Sequence, residues 1–462
     1  MPVELSGKRV VVLGLARSGR AAVTLLTDAG ASVAATDLRD DATLGVDAAA
    51  WSGRGVDLVL GSHPPALLDG ADLLVVSPGV RSDAPFVLEA RKRGVEVIGE
   101  LELAYRMSEA SWIAVTGTNG KTTTTALAGE LVRTLGRPTV VAGNIGVAVS
   151  GEVRDVPADG FIVAEVSSFQ LDTIREFRPR VAACLNITPD HLDRYDGIED
   201  YARSKARVFE NQQADDVAVL NVDDPRTAAL ADGIRARVLS VSSAREVEHG
   251  AFVRGGTVVL RMDGREQEVI ETARIGIEGP HNLANALAAL VSAAAVGVET
   301  GPAAEVLESF RPLEHRMEPV AEPGGVLYVN DSKATNIESA RCALQSYERP
   351  IVHIAGGRDK GSDFTALREL VSERVKRLVL VGEAADAMER AFGGAAPVSR
   401  AATMEDAVRE AARRSEAGDV VLLSPACASF DMFDDFEHRG RVFKDAVRSL
   451  GADRTVGERK TQ

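Results

Sequence analysis

The stretch "AVTGTNGKTTTTA", residues 114–126, holds residue types suited to binding phosphate. A phosphate-cradling loop is commonly written G-x-x-x-x-G-K-[ST], and Gly120, Lys121 and Thr122 match its end, while Val115 holds the place of its first glycine. In such a loop the lysine reaches the terminal phosphates of ATP and the hydroxyl ligates Mg²⁺. An ATP site is one interpretation, and a glycine-rich connection in an ordinary α/β domain is the other.

Three further residues could serve phosphate transfer if they lie near this loop. Glu165 ends the run "FIVAEVS" and His191 follows "VAACLNITPD", so both stand where parallel strands deliver side chains toward a ligand crevice. Lys205 lies in "YARSKARVFEN", which has the spacing of an amphipathic helix. Taken alone, Glu165 is more ordinarily a solvated carboxylate, His191 a loop histidine and Lys205 a surface lysine.

A second glycine pattern lies near the start of the chain, in "VVVLGLARSGRAA". It resembles the dinucleotide-binding pattern G-x-G-x-x-G, but Ala16 replaces the middle glycine between Gly14 and Gly19. A methyl group there hinders the close approach of a pyrophosphate to the backbone. The pattern alone is therefore weak evidence for a nicotinamide cofactor and a dehydrogenase.

The composition argues against several classes of partner. The 462 residues carry 53 Lys and Arg against 68 Asp and Glu, a net charge of −15, so we expect no general binding to nucleic acid or to an anionic membrane. Cys184, Cys342 and Cys427 are far apart in sequence, which fits neither a disulfide framework nor a zinc knuckle. The chain enters a strand without an export signal, and its most apolar run, 286–298, is too short to span a bilayer. We expect a cytoplasmic protein in which that run is a buried helix.

The elements that would position these residues alternate short β-branched runs with helix-length segments, a pattern typical of parallel sheets covered on both faces. The first block has the runs "KRVVVLG", "SVAATD", "DLLVVSPG" and "VEVIGE". The second has "SWIAVTG", "TVVAGN", "FIVAEVS", "VAACLNIT" and "VAVLNVDD", followed at 251–271 by antiparallel strands joined at Asp263-Gly264. The third has "GVLYVND", "PIVHIAGG", "RLVLVG" and "VVLLSPA". A helix predicted at "TTTTALAGELVRTLG" would place its N-terminus, which favours phosphate, directly after the glycine loop.

A resemblance to a known family covers nearly the whole chain. "TGTNGKTTT" resembles the ATP loop of the Mur ligases and of their relatives, the folylpolyglutamate synthases, which also lacks the early glycine. Further matches follow in family order: "AGNIG", "AEVSSFQLD", "NITPDHLDRY", "SKARVFEN", "GPHNLANALAA", "EHRME", "NDSKATN", "GGRDKGSDF" and "LLSPACASFDMFDDFEHRG". Within the family, "NDSKATN" together with "SPACASFD" resembles the member that adds D-glutamate.

The resemblance implies an α/β fold of three domains. Residues 1–104 would form a Rossmann-like UDP-sugar-binding domain. Residues 105–311 would form a central P-loop ATPase-like domain that binds ATP and has a small antiparallel part. Residues 312–462 would form a Rossmann-like C-terminal domain that binds the amino acid.

The resemblance also implies an ATP-dependent amide-bond ligase of peptidoglycan precursor synthesis, joining D-glutamate to UDP-N-acetylmuramoyl-L-alanine. A carboxylate would take the γ-phosphoryl group of ATP to give an acyl phosphate, and the amine would then attack it. Both steps gather negative charge, which Mg²⁺ and positioned cations stabilise. We expect a monomer whose partners are these two substrates and ATP.

By the same resemblance, Lys121, Glu165, His191 and Lys205 are the catalytic residues. The expected Mg²⁺ ligands are Thr122, Glu165, His191 and Lys205. Lys205 would be carbamylated, because a CO₂ adduct turns an ammonium into an oxygen ligand for a hard cation.

The substrate-binding residues are also carried over from the family motifs. For ATP they are Gly117, Thr118, Asn119, Gly120, Lys121, Thr122, Thr123, Asn285, Arg316, Asp331 and Lys333, of which Asn285, Arg316 and Asp331 would hold adenine, phosphate and ribose. For the UDP-sugar they are Leu15, Arg17, Asp37, Arg39, Ser77, Gly79 and Asn144. For D-glutamate they are Thr335, Lys360, Ser429, Phe430 and Phe436.

Three alternatives remain open at this point. A sister ligase for another amino acid or a folate polyglutamylator would share the central ATP machinery, although the Rossmann-like first block and the third-block motifs argue against both. A regulatory nucleotide-binding module could carry the loop without catalysis, but it would not need Glu165, His191 and Lys205 together. No His or Asp is placed to activate Cys427 as a nucleophile, and this mechanism needs none, so Cys427 is interpreted as a buried thiol. His281 stays unassigned.

Overall fold

A computed structural model of the protein describes residues 4–40, 44, 48–144, 147–191, 194–311, 314–359 and 361–458. The chain divides into two compact units. The first contains Met1–Ile187, Gly197–Ile275 and Asn282–Ser309, and the second contains Thr188–Asp196, Gly276–His281 and Phe310–Gln462.

The N-terminal part of the first unit is a five-stranded parallel sheet of order β3-β2-β1-β4-β5. Its strands are β1 (Arg9–Leu13), β2 (Ser32–Asp37), β3 (Asp57–Leu60), β4 (Leu73–Val76) and β5 (Glu96–Gly99). Its helices are α1 (Arg17–Asp28), α2 (Ala48–Gly53), α3 (Pro85–Lys92) and α4 (Glu100–Arg106). The four predicted strands are present, and β3 is an additional one. The strand order reverses between β1 and β4, where open α/β sheets bind their ligands.

The rest of the first unit is built on a nine-stranded sheet of order β14-β13-β12-β11-β10-β9-β6-β8-β7. Its strands are β6 (Ser111–Thr116), β7 (Thr139–Gly143), β8 (Phe161–Glu165), β9 (Val181–Cys184), β10 (Val217–Asn221), β11 (Arg237–Ser242), β12 (Gly250–Arg254), β13 (Thr257–Met262) and β14 (Arg265–Glu271). Strands β6 to β12 pair in parallel, whereas β13 pairs antiparallel with both β12 and β14, as predicted for 251–271.

The helices that follow these strands are short except at the glycine loop and in the apolar run. They are α5 (Lys121–Arg133), α6 (Ser168–Leu171), α7 (Ile198–Ala206), α8 (Pro225–Ala228), α9 (Pro280–Ala294) and α10 (Thr300–Ser309). The predicted buried helix at 286–298 is confirmed by α9, in which residues 286–293 are all buried, but it ends at Ala294. In the described part of the chain, no helix combines the length and apolar character needed to cross a membrane.

The second unit contains a six-stranded sheet of order β15-β16-β20-β17-β18-β19, parallel except for its antiparallel edge strand β15. Its strands are β15 (Glu318–Ala321), β16 (Leu327–Asn330), β17 (Ile351–Gly356), β18 (Val375–Val381), β19 (Val398–Arg400) and β20 (Val420–Leu423). Its helices are α11 (Ile337–Gln345), α12 (Arg368–Arg374), α13 (Ala385–Phe392), α14 (Met404–Arg414) and α15 (Phe436–Glu458).

Alternation along these strands builds a core on each face of the third sheet. Val420 and Leu422 pack into one cluster with residues of α11 to α13, whereas Val421 and Leu423 pack into the other with residues of α14 and α15. A strand with both faces covered reads as a continuous apolar run, as "VVLL" does. The carboxyl ends of the central strands are then the free edge at which polar side chains can meet a ligand.

Candidate active site

The glycine loop lies between β6 and α5, in the order that the sequence predicted. Gly117 and Gly120 adopt φ angles of 146° and 83°, which L side chains rarely reach. Helix α5 begins at Lys121 directly after Gly120, so the N–H groups of its first turn have no acceptor within the helix. These groups and the helix dipole favour an anion beside the loop.

The neighbours of the two glycines also exclude side chains. A Cβ atom on Gly120 would lie 2.1 Å from Oδ1 of Asn285, and one on Gly117 would lie 3.0 Å from Cβ of Leu185. Asn285 is buried on α9, where its Nδ2 donates to Oδ1 of Asn282 at 3.2 Å. Asn285, predicted to hold adenine, therefore lies directly against the phosphate loop.

Two lysines converge on one carbonyl of the loop. Lys121 Nζ donates to the carbonyl oxygens of Gly117 and Thr118 at 2.8 and 2.6 Å. Lys205 Nζ donates to the same Gly117 oxygen at 2.8 Å and lies 4.4 Å from the ring centroid of Tyr201. Because Lys205 is only 1% exposed, its interpretation as a solvated surface lysine is wrong. Helix α7 turns this side chain into the loop.

Glu165 ends β8 and is buried beside the start of α5. Its Oε2 accepts a hydrogen bond from Oγ1 of Thr122 at 2.7 Å, and its Oε1 accepts one from Nδ2 of Asn144 at 2.9 Å. A carboxylate and a hydroxyl in contact are the hard oxygen ligands that Mg²⁺ prefers. Thr122 and Glu165 thus fit a metal site, and Asn144, predicted for the UDP-sugar, orients the carboxylate.

Asn186 holds the other side of the glycine loop, and sequence reasoning missed it. Its carbonyl oxygen accepts from the N–H of Thr118 at 2.9 Å, and its Oδ1 accepts from the N–H of Asn119 at 2.8 Å. Its Nδ2 donates back to the carbonyl of Asn119 at 3.1 Å. The N–H groups of Thr118 and Asn119 are therefore used within the protein, and the N–H groups nearer the start of α5 remain the ones aimed at an anion.

Asp37 ends β2 at the carboxyl edge of the N-terminal sheet. Its Oδ2 accepts from the N–H of Leu15 at 2.7 Å, and its two oxygens accept from Nε and Nη2 of Arg39 at 3.0 and 2.9 Å. Burial disfavours the charged carboxylate, but the hydrogen bonds from Arg39 and Leu15 outweigh it and lower the pKa of Asp37 to about 2. Three residues predicted for the UDP-sugar are thereby bonded to one another.

The glycines of the N-terminal loop serve close packing. Ser77 Oγ donates to the carbonyl of Gly14 at 2.7 Å. A Cβ atom on Gly19 would lie 1.8 Å from that carbonyl oxygen and 2.8 Å from Ser77 Oγ. The last glycine of the pattern thus lets α1 pack against the end of β1. Arg17 and Gly79, the remaining residues predicted here for the UDP-sugar, are exposed.

In the second unit, Asp331 directly follows β16 and is buried. Its Oδ2 accepts from Oγ of Ser424 at 3.0 Å, its Oδ1 accepts from the N–H of Met317 at 3.2 Å, and Nη1 of Arg316 lies 3.8 Å from Oδ1. Burial raises the pKa of Asp331 to about 6, although Arg316 and Ser424 act to lower it. Arg316 and Asp331, predicted for phosphate and ribose, therefore lie together.

A buried arginine joins the two motifs "NDSKATN" and "SPACASFD". Arg439 is 1% exposed, and it donates from Nε to Oγ of Ser332 at 3.0 Å and from Nη2 to the carbonyl of Ser332 at 2.7 Å. Its Nη1 donates to the carbonyls of Cys427 and Ala428 at 3.1 and 3.3 Å. Burial lowers the pKa of Arg439 to about 10, still far above neutral. Sequence reasoning missed this residue, and the buried thiol predicted at Cys427 is confirmed.

The residues predicted for the amino acid lie on these motifs. Lys333 Nζ is 5.1 Å from the ring centroid of Phe436, and the N–H of Thr335 donates to the carbonyl of Lys333 at 2.9 Å. Ser429 is buried, whereas Phe430 is 61% exposed. An exposed aromatic side chain next to a buried hydroxyl leaves an apolar surface available to a ligand.

The predicted metal ligand His191 belongs to the second unit, together with the motif "NDSKATN". It has a positive φ of 55°, and its N–H donates to Oδ1 of Asp190 at 2.9 Å. The other oxygen of Asp190 accepts from Nδ2 of Asn336 at 2.9 Å. Asp190 thus joins the His191 segment to the start of α11. Lys360, predicted for D-glutamate, lies outside the described residues.

The structure divides the predicted residues between the two units. The first unit holds Leu15, Arg17, Asp37, Arg39, Ser77, Gly79, Gly117, Thr118, Asn119, Gly120, Lys121, Thr122, Thr123, Asn144, Glu165, Lys205 and Asn285. The second holds His191, Arg316, Asp331, Lys333, Thr335, Ser429, Phe430 and Phe436.

Comparison with known proteins assigns the family. Three family models match successive parts of the chain: "Mur ligase MurD-like, N-terminal domain" at residues 8–99, "Mur ligase middle domain" at 115–293, and "Mur ligase, glutamate ligase domain" at 315–427. This chain belongs to the Mur ligase family. The predicted family and the predicted α/β fold of three domains are confirmed.

Relatives of this Mur ligase match it over its whole length. A protein of Geobacter metallireducens is 46% identical over 457 residues, covering 99% of this chain and 100% of the relative, and is named "UDP-N-acetylmuramoylalanine--D-glutamate ligase". A protein of Trichlorobacter lovleyi with the same name is 46% identical over 452 residues, covering 97% of this chain and 100% of the relative. Among solved structures, the MurF ligase of Thermotoga maritima in complex with ADP has a TM-score of 0.61 at 14% identity, covering 97% of this chain and 100% of that one. That likeness is one of fold.

Proposed function

We propose that this Mur ligase joins D-glutamate to UDP-N-acetylmuramoyl-L-alanine in the cytoplasm, as a step of peptidoglycan precursor synthesis. The observation that carries the proposal is full-length similarity, at 46% identity, to relatives named for this reaction. Cys184, Cys342 and Cys427 form no disulfide bond, in keeping with a reducing compartment. We further propose that the enzyme acts as a monomer.

The first unit would bind ATP and the UDP-sugar. N–H groups at the start of α5 would donate hydrogen bonds to the phosphates, and Lys121 would move from the carbonyls of Gly117 and Thr118 to the γ-phosphoryl group. The cation would stabilise the charge that gathers as the substrate carboxylate is converted to an acyl phosphate. Leu15, Arg17, Asp37, Arg39, Ser77, Gly79 and Asn144 would hold the UDP-sugar.

Bound Mg²⁺ would neutralise charge on the transferring phosphoryl group. Thr122, Glu165 and His191 would be ligands, and we further propose that Lys205 acts as its carbamate. The support is its burial at 1% exposure against the carbonyl of Gly117, a site where an ammonium would repel a nearby cation. A CO₂ adduct removes that positive charge and supplies oxygens instead.

The second unit would deliver the amine. Thr335, Lys360, Ser429, Phe430 and Phe436 would bind D-glutamate, while Arg316, Asp331 and Lys333 would complete the ATP site. We propose domain boundaries at 104 and 311. In support, the N-terminal family model ends at 99, the middle one ends at 293 and the C-terminal one begins at 315.

The proposal is tested by following ADP release from the full-length enzyme with UDP-N-acetylmuramoyl-L-alanine, ATP and a panel of amino acids. We expect turnover with D-glutamate and none with L-glutamate or a diamino acid. Equal rates with L-lysine or diaminopimelate would contradict the assignment and point to a sister ligase. No ADP release with any amino acid would favour a regulatory nucleotide-binding module.

A further inference from the structure

The segment 314–318 has a strained backbone around Arg316. His315 and Met317, its two neighbours, adopt φ angles of 64° and 48°. Positive φ costs free energy for residues with a Cβ atom, and it persists only where the surroundings hold it. The direction of the Arg316 side chain therefore depends on whatever fixes these two residues.

Glu318, the last residue of the segment, fixes its backbone by hydrogen bonds. Its Oε2 accepts from the N–H of His315 at 2.9 Å and from Nδ2 of Asn330 at 2.9 Å. The same Nδ2 lies 2.9 Å from Nδ1 of His315, and the N–H of Met317 donates to Asp331. One carboxylate oxygen thus ties the start of the segment to Asn330, the last residue of β16, directly before the buried Asp331.

Lys444 bridges the first and last residues of the segment. This buried lysine on α15 donates from Nζ to Oε1 of Glu314 and, at 3.1 Å, to Oε1 of Glu318. Helix α15 comes close because Gly440 stands one turn earlier, where a Cβ atom would lie 2.2 Å from Nδ1 of His315. The ligand atoms of Glu314, His315 and Glu318 lie within 4.8 Å of one another, as in a metal site, but the Lys444 ammonium supplies the positive charge there.

We propose that Lys444 is a positioning residue for Arg316: by bridging Glu314 and Glu318 it holds the two positive-φ residues that aim Arg316 toward Asp331. The inference rests on the proposed function, in which Arg316 contacts ATP. Without the ammonium, two carboxylates face each other across the segment and their repulsion favours relaxation of its backbone. The Arg316 guanidinium, 3.8 Å from Asp331, then loses its fixed direction.

The first test compares Lys444→Met with a matched control. Methionine keeps an unbranched apolar stem and removes the charge. Lys376→Met removes a lysine that bridges Glu416 at 3.1 Å and Asp419 at 3.0 Å at the start of β18, away from the 314–318 segment. We expect Lys444→Met to raise the KM for ATP about tenfold with little change in the KM for D-glutamate, and Lys444→Arg to restore most of the loss. Lys376→Met should match the parent, and an equal rise in both lysine variants would overturn the proposal.

The second test is a double-mutant cycle. If Lys444 acts through Arg316, Lys444→Met should change the KM for ATP little in an Arg316→Ala background. If the two residues act independently, the fold-increases in KM of the two single variants should multiply in the double variant. Multiplying effects would overturn the proposal. Should Lys444→Met not fold, Glu318→Gln replaces it, because the amide keeps an oxygen for the N–H of His315 and removes the charge facing Lys444. Wild-type kinetics of Arg316→Ala would also overturn the positioning role, while D-glutamate-dependent ADP release would still stand for the proposed function.

Discussion

Two glycine loops of the first unit each follow the first strand of their sheet and lead into a helix, but different groups contact them. The loop at 117–120 is held by Asn186, receives two lysine ammoniums and leaves the first turn of α5 for an anion. The loop at 14–19 has its Leu15 N–H bound to the Asp37 carboxylate and its Gly19 pressed against the Gly14 carbonyl. One loop faces two lysine ammonium groups, whereas the other faces the Asp37–Arg39 ion pair.

The difference shows that the spacing of glycines predicts the conformation of the loop backbone but does not predict which ligand the loop binds. Gly14 and Gly120 have nearly the same φ, 88° and 83°. The group opposite each loop differs: the Leu15 N–H already donates to Asp37, whose carboxylate is paired with Arg39 and whose pKa is held at about 2, so this N–H is not open to a phosphate. A sugar or base that offers hydrogen-bond donors suits that edge better.

The largest expected effect comes from removing a cationic side chain from each of the two loops and comparing the kinetics. Lys121→Ala should lower kcat by about 100-fold or more, because removing a charge stabiliser at the transferring phosphoryl group costs ~3 kcal/mol. Arg17→Ala, at the exposed start of the other loop, should instead raise the KM for the UDP-sugar and leave kcat nearly unchanged. Initial rates of ADP release measure both, and a Lys121 variant with normal kcat would refute the role of the central loop.

The next effect concerns Lys205, the second cation at Gly117. Lys205→Ala should lower activity about 10- to 100-fold if the residue serves the metal as its carbamate. Acetate should restore part of the activity by supplying oxygens, but it should do little for Lys121→Ala, whose missing group is a cation. Full activity of Lys205→Ala at low Mg²⁺ would contradict the carbamate.

A smaller effect tests packing in the N-terminal loop. Gly19→Ala would place a Cβ atom 1.8 Å from the Gly14 carbonyl oxygen, and such overpacking costs about 1–3 kcal/mol. Gly53→Ala, on α2 of the same domain, has nothing within 4 Å and serves as the control. Thermal unfolding should show a lower Tm for Gly19→Ala only. Equal Tm values would mean that this loop is not a packing device.

The smallest effect is the pH dependence of Asp37. Its folded pKa of about 2 lies below the 3.8 usual for an aspartate, so its stabilisation is present above pH 4 and is lost as pH falls through 2. Because Arg39 is half exposed, with 47% of its side chain accessible, we expect about 1 kcal/mol. Asp37→Asn should therefore be less stable than the parent near neutral pH and equal to it near pH 2. Denaturant titration at several pH values measures this, and a pH-independent difference would count against an ionised Asp37.

Much of the fold followed from local pattern. The β-branched runs predicted thirteen strands that the structure contains, and the helix after the glycine loop begins where its residues indicate. Four strands were not predicted: β3 is partly exposed along its length, β11 has serine at two of its six positions, β15 contains Pro319, and β19 has three residues. In these segments, pairing with a neighbouring strand outweighs weak local preference.

The site divides in the same way. Motif resemblance named Lys121, Thr122 and Glu165, and Thr122 and Glu165 are in contact, although the roles of all three stay predictions. It did not identify Asn186 or Arg439, whose partners lie 67 and 107 residues away in sequence. Such residues act by closing loops onto each other, and a pattern read along the chain contains no signal for which distant carbonyl a side chain will meet.

The Arg439 clamp has a consequence for synthesis of the chain. Domains generally fold as units while the polypeptide emerges, starting from the N-terminus. The residues of the ATP loop and its Asn186 partner are complete long before the ribosome reaches residue 439. The loops at Ser332 and at Cys427–Ala428, by contrast, lack their shared donor until residue 439 on α15 has been synthesised. A chain released by a premature stop codon before residue 439 would therefore contain the complete glycine loop at 117–120 but would lack the side chain that joins the loops at Ser332 and at Cys427–Ala428.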